Sequence, residues 1–134
     1  MTAMTVATLY AGLFGLLLLG IKIRVGAVRA KTKVAFGGGD NAAMEQAMRV
    51  QGNAVEDIPI VVLGLIALGA MAAPIWLVHA LGGTFLVARL LHAVGLSGSP
   101  GFSIGRAAGT TLSMLTQLAT AGTCIYYFFA GTAG

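Results

Sequence analysis

The chain has 134 residues, enough for one domain, yet 57% of them are hydrophobic and only 9% are charged. A water-soluble surface takes roughly 25% charged residues, so this composition, with a mean hydropathy of +0.91, excludes a soluble globular domain and makes lipid the solvent. The net charge of +4 rests largely on the basic run Lys22, Arg24, Arg29, Lys31 and Lys33, which is too local for a nucleic-acid surface and reads instead as a topology signal.

Backbone groups cannot stay unpaired in hydrocarbon, which leaves helices or a closed barrel. A barrel would show short alternating segments. The unbroken apolar run from Ile58 to Leu68 selects helices, and the expected fold is an all-α integral membrane protein, one domain over residues 1–134 with four transmembrane helices. The first span is expected over residues 4–23, which at 1.5 Å per residue covers about 30 Å. No Lys or Arg precedes it, so it is expected to stay in the membrane rather than be cleaved as a signal peptide. The basic run follows, then Gly37-Gly38-Gly39-Asp40-Asn41, a loop in which Asp40 or Asn41 can cap the next helix.

Helix two is expected in two halves, a partly polar one over 42–57 and an apolar one over 58–71, with Pro59 inside as a kink. Pro74 follows a very short turn and suits the first position of helix three, expected over 75–94. A Gly/Ser/Pro loop is expected over 95–101. The fourth span is expected to start near Ser103, as its cap, and to end near Phe129, with Tyr126 and Tyr127 in an interfacial belt. The basic run then puts the loops after spans one and three in the cytoplasm and both termini outside. Ala11/Gly15 and Gly105/Gly109 have the spacing that lets helices approach closely.

Polar residues inside such a bundle carry the chemistry. Arg49, Asn53 and Glu56 are spaced i, i+4, i+7 and share one face of helix two, whereas Gln51 points nearly the opposite way. One protomer cannot easily bring both faces to one pocket; an oligomer can, with Gln51 reaching a neighbour's. Arg89 and His92 are spaced i, i+3 on helix three. A charged residue at a helix centre costs roughly 2.5–3.5 kcal/mol on insertion scales. The set therefore reads either as intramembrane ion pairs and arginines snorkelling to lipid phosphates, or as a pocket for an anionic ligand. Three arginines, Arg49, Arg89 and Arg106, against Glu56 and Asp57 leave surplus positive charge for carboxylates.

Arg106 sharpens the second reading. It falls in the first turn of helix four, where the dipole is already positive and a cation is misplaced unless an anion sits beside it. A thiolate is one such anion, because an arginine and a helix N-terminus both lower a thiol pKa from about 8.5. No metal site is expected. His79 reads as structural, and at about 20 Å from His92 along one helix it cannot share a haem with it. Cys124 lies in an apolar run as the single cysteine.

The run Arg49-Val50-Gln51-Gly52-Asn53-Ala54-Val55-Glu56-Asp57-Ile58-Pro59 resembles the R-x-x-x-N-x-x-E signature, with its following proline, of the MAPEG family, the membrane-associated proteins of eicosanoid and glutathione metabolism. The glycine-rich loop with Asp40-Asn41 is similar to that of bacterial members. Arg89-Leu90-Leu91-His92 resembles the helix-three motif of the prostaglandin-forming branch. Arg106 falls where the family places its thiol-activating arginine, and Arg29 near the cytoplasmic arginine of leukotriene-forming members. The chain departs from the family at Asp57 and Leu96, where many members carry tyrosine.

The resemblance implies a homotrimer of four-helix subunits in a bacterial inner membrane. It implies glutathione as co-substrate, bound between subunits and open to the cytoplasm by Arg49, Asn53, Glu56, Arg29, Arg89 and His92, with Gln51 from the neighbour. Arg106 would be catalytic, holding the glutathione thiolate for attack on a lipophilic electrophile or hydroperoxide, a transferase or peroxidase reaction of the kind used in detoxification. The partners would be other copies of the chain, membrane lipids and a lipophilic small molecule, with no nucleic acid. The alternative is a non-catalytic ligand- or lipid-binding module on the same fold. A small multidrug transporter would need a carboxylate deep in span one, where residues 4–21 hold none.

Overall fold

The computed structural model describes residues 1–98 and 104–132. They form four α-helices, α1 (Ala3–Thr32), α2 (Ala42–Ala70), α3 (Ile75–Gly98) and α4 (Ile104–Thr132), with no strand among the described residues. The starts of α1 and α2 are set by local caps. Thr2 and Thr5 make a reciprocal capping box at the start of α1. Of the two cap candidates before α2, Asn41 takes the role and accepts a hydrogen bond from the Met44 N–H at 3.1 Å. Asp40 instead turns the chain at a positive φ of 53°. Pro59 lies inside α2 without ending it. The expected cap Ser103 and the Leu96 side chain lie outside the described residues.

Two expected boundaries are corrected. α1 does not stop near Ile23 but runs to Thr32, so the whole basic run up to Lys31 is helical. Cations at a helix C-terminus oppose the negative end of its dipole, and Arg29 and Lys31 occupy the last turn. The chain then leaves the helix through Lys33 in the left-handed region, φ 57°. α3 likewise continues past Val94, so Gly95 is helical rather than part of a loop.

α1 packs along α2, α3 along α4, and α2 lies against both α3 and α4. The core is a stripe from each of three helices. α2 supplies Val50, Ala54, Ile58, Val61, Leu65 and Leu68 at spacings of three and four, the period of one helix face. Phe14 of α1 meets Phe85 of α3 with ring centroids 5.4 Å apart. Tyr10 lies flat over Gly82, where a Cβ would come within 2.5 Å of its ring. The Tyr10 hydroxyl sits 3.2 Å from both Nδ1 and the carbonyl oxygen of His79, so His79 is tied into the core and away from the polar cleft described below.

Leu16, Leu63, Trp76, Leu118 and Phe129 face outward, as lipid-facing side chains do. α1, α2 and α3 are long and apolar enough to cross a membrane. α4, also 29 residues long like α2, is richer in hydroxyls. Thr116, Thr120 and Thr123 each donate back to a carbonyl of the preceding turn at 2.7–2.8 Å, which satisfies them without water. The Cys124 thiol, half-buried, donates to the Gly64 carbonyl at 3.6 Å.

Glycine sets the α3/α4 spacing. A Cβ on Gly109 would lie 2.5 Å from the His92 nitrogen and 2.8 Å from the Ala88 oxygen, and one on Gly95 would meet the Arg106 nitrogen. Of the predicted small-residue pairs, Gly105/Gly109 does face a neighbouring helix, while Gly15 of the Ala11/Gly15 pair meets nothing within 4 Å in the protomer. Because its neighbours are backbone atoms that cannot swing aside, Gly109→Ala is expected to cost about 2–3 kcal/mol, the upper part of the overpacking range. Gly122→Ala, where a Cβ meets nothing within 4 Å, is expected to be neutral or slightly stabilising. Thermal unfolding of the two variants in one detergent compares them.

Candidate functional site

The end of the bundle that holds the C-terminus of α1, the N-terminus of α2, the C-terminus of α3 and the N-terminus of α4 carries a cleft of about 480 Å³. It is lined by Arg49, Gly52, Asn53 and Glu56 of α2, His92 of α3, and Arg106 and Thr110 of α4. On α2 the 100° step per residue puts Asn53 about 40° and Glu56 about 20° from the direction of Arg49, so one face presents all three. Gly52 opens the wall beside them, with nothing within 4 Å of its Cβ position. Arg106 is the third residue of α4, in the first turn as the sequence implied, beside the positive end of that helix.

The cleft floor is a hydrogen-bonded chain. The Asn53 Nδ2 lies 3.2 Å from His92 Nε2, His92 Nδ1 lies 2.9 Å from Thr110 Oγ1, and Thr110 donates to the Arg106 carbonyl at 2.9 Å. His92 itself is 5% exposed, so the ring serves the cleft from behind. Thr110 has no place in the sequence reading. The signal was its i+4 spacing from Arg106, which puts both on one face of α4.

Three predicted residues lie elsewhere. Arg89 does not line the cleft. It is buried at 3% exposure and its Nη1 donates to Asp57 Oδ2 at 2.7 Å, a pair joining α3 to α2. Arg29 is turned to its own loop, where Nη1 donates to the carbonyls of Val34 and Ala35 at 2.9 and 3.0 Å. Gln51 is half-buried and points away from this protomer's cleft, as its position two residues from Arg49 requires.

The charge balance survives the correction. Arg89 and Asp57 leave the sum together, so three cations against two anions become Arg49 and Arg106 against Glu56, still one positive charge in excess. Asp57 is thus paired with Arg89 rather than among the residues that line the cleft. Two guanidiniums, one carboxylate and a side-chain amide in one opening can hold a small molecule that carries both carboxylates and an ammonium. Among the described residues no group of three or more His, Cys, Asp or Glu could hold a metal ion.

The sequence profile of the MAPEG family matches residues 7–126, nearly the whole chain and all of the cleft. The chain belongs to the MAPEG family. It is similar to the inner membrane protein YecN of Escherichia coli K12, at 38% identity over 90 residues that cover 67% of this chain and 69% of the relative. The same figures hold for YecN of the Escherichia coli strain CFT073. No solved structure matches the chain. In this MAPEG protein, then, the signature residues of helix two are those that line the cleft, and the helix-three pair divides between cleft and core.

Proposed function

We propose that this protein binds glutathione in the cleft and holds its thiolate beside Arg106 for attack on lipophilic electrophiles or hydroperoxides. The observation that carries the reading is the meeting of Arg49, Asn53, Glu56 and Arg106 in one opening. Membership of the MAPEG family supports the choice of a glutathione thiol over other anions. Arg49 and Arg106 suit carboxylate and thiolate, and Glu56 suits the ammonium.

In transfer, the thiol proton is lost to solvent. The sulfur then forms a bond to the electrophilic carbon while the leaving group departs with its bonding pair. With a hydroperoxide, the sulfur takes the terminal oxygen and an alcohol leaves; a second thiol then gives the disulfide and water. The residues of this chain contribute binding and charge rather than covalent chemistry.

A homotrimer of four-span subunits in the inner membrane completes the reading. The exposed side chains of Arg49 and Glu56 would be costly against lipid, and a second protomer carrying Gln51 and the end of α1 can cover them. The name of the Escherichia coli relatives and the basic run at the cleft end of α1 support an inner membrane with the cleft on the cytoplasmic side.

The test is titration of the purified protein with glutathione, followed by heat and by thiolate absorbance, with an aryl halide or lipid hydroperoxide as second substrate. Saturable binding with a thiolate signal and turnover is expected. Binding with no turnover would favour a non-catalytic ligand-binding module, and no binding would overturn the reading.

A further inference from the structure

Hydrogen-bond donors and acceptors can be counted along the chain of side chains at the cleft floor. A threonine hydroxyl has one proton, and that of Thr110 goes to the Arg106 carbonyl, which can only accept. With that bond made, the Thr110 oxygen offers lone pairs to His92 Nδ1 at 2.9 Å, an arrangement that favours the ring proton on Nδ1. A neutral ring with its proton on Nδ1 has a lone pair on Nε2, and a lone pair at 3.2 Å from Asn53 calls for the amide NH₂ there. A planar amide whose nitrogen is turned to the ring has its oxygen turned the other way, on a side chain that lines the cleft.

We propose that Thr110 and His92 are positioning residues that lock the Asn53 amide with its carbonyl oxygen facing the cleft, so that this point of the site selects a ligand bearing an N–H donor. Both ring nitrogens of His92 are engaged inside the protomer, so the imidazole does not bind the ligand itself. Asn53 and Glu56, one helical turn apart, become a pair of acceptors for an ammonium group, while Arg49 and Arg106 serve the anionic groups. The step from amide to ligand rests on the glutathione reading; the tautomer does not.

Two measurements separate them. Nitrogen-15 NMR of the histidine-labelled protein without ligand reads the tautomer, and His79→Gln assigns the signals, since the chain has 2 histidines. The wild type is expected to show His92 protonated on Nδ1 alone. Thr110→Val keeps the shape and removes the acceptor, and is expected to move the proton to Nε2. Thr110→Ser is expected to restore the wild-type pattern. A wild-type ring protonated on Nε2 overturns the positioning role.

The second measurement compares glutathione with its analogue lacking the amino group. The wild type is expected to prefer glutathione by about tenfold or more, the scale of one charge-assisted hydrogen bond. Thr110→Val should cut that preference by about fivefold, the scale of one lost acceptor, while Glu56 keeps the remainder. An unchanged preference in Thr110→Val overturns the selectivity claim. If the tautomer is as stated but neither ligand binds the wild type, the glutathione reading fails together with the ligand half, and the positioning chain stands.

Discussion

Arg106→Ala is expected to lose most of the thiolate absorbance at neutral pH while glutathione still binds through Arg49, Asn53 and Glu56. A thiol with a pKa of about 8.5 is roughly 3% ionised at pH 7, and one lowered by two units is about 75% ionised. Removing the guanidinium should therefore cut the thiolate fraction by up to about 25-fold, and turnover with it. Arg106→Lys separates charge from shape. The ammonium keeps the charge but not the planar fork, so an intermediate thiolate fraction is expected. The signal should be followed against pH, where the alanine variant reaches the wild-type level only one to two units higher. An undiminished signal in Arg106→Ala would remove Arg106 from the chemistry and leave the helix terminus alone to hold the anion.

The parts of this site that were legible in the sequence were those fixed by a single helix. Arg49, Asn53 and Glu56 converge because 3.6 residues per turn makes them converge, and Gln51 diverges for the same reason. The Asn41 cap was visible as one of two candidates, and the left-handed turn at Asp40 decided between them. What the sequence hid depends on a neighbour. Arg89 and His92 share a face to within about 60°, yet that arc spans two partners. Gly109 brings α4 against the backbone at His92, so His92 meets Thr110 while Arg89 meets Asp57.

Polarity also misled at the helix ends. The basic run looks like a loop by hydropathy, but helices tolerate and favour cations at their C-termini, and α1 carries them to Thr32. Gly95 looks like a breaker and is instead a place where the α4 backbone comes close. Glycine marks a turn or a close approach with the same letter, and only the opposing helix tells which.

The Arg89–Asp57 pair makes the second large expectation. Arg89→Met should destabilise the bundle strongly, because it strands a carboxylate that now has no cation beside it. Breaking a fully buried pair costs about 3–5 kcal/mol. Asp57 is 35% exposed, which allows water or a headgroup partial relief, so about 2–3 kcal/mol is expected. The pair itself is a poorer source of stability than its 2.7 Å contact suggests. The Arg89 Nε is buried without a hydrogen-bond partner, so the desolvated guanidinium is not fully repaid. The double variant Arg89→Met/Asp57→Leu should therefore recover most of the loss, whereas Asp57→Leu alone, which strands the more deeply buried guanidinium, should cost at least as much as Arg89→Met. Detergent-solubilised protein unfolded by heat or denaturant supplies the stabilities.

Glutathione affinity of the double variant is the discriminating measurement. Neither residue lines the cleft, so affinity within about threefold of the wild type is expected. A tenfold loss in a protein of restored stability would mean that Arg89 acts on the bound anion across the cleft wall, and that the charge balance must again count three arginines.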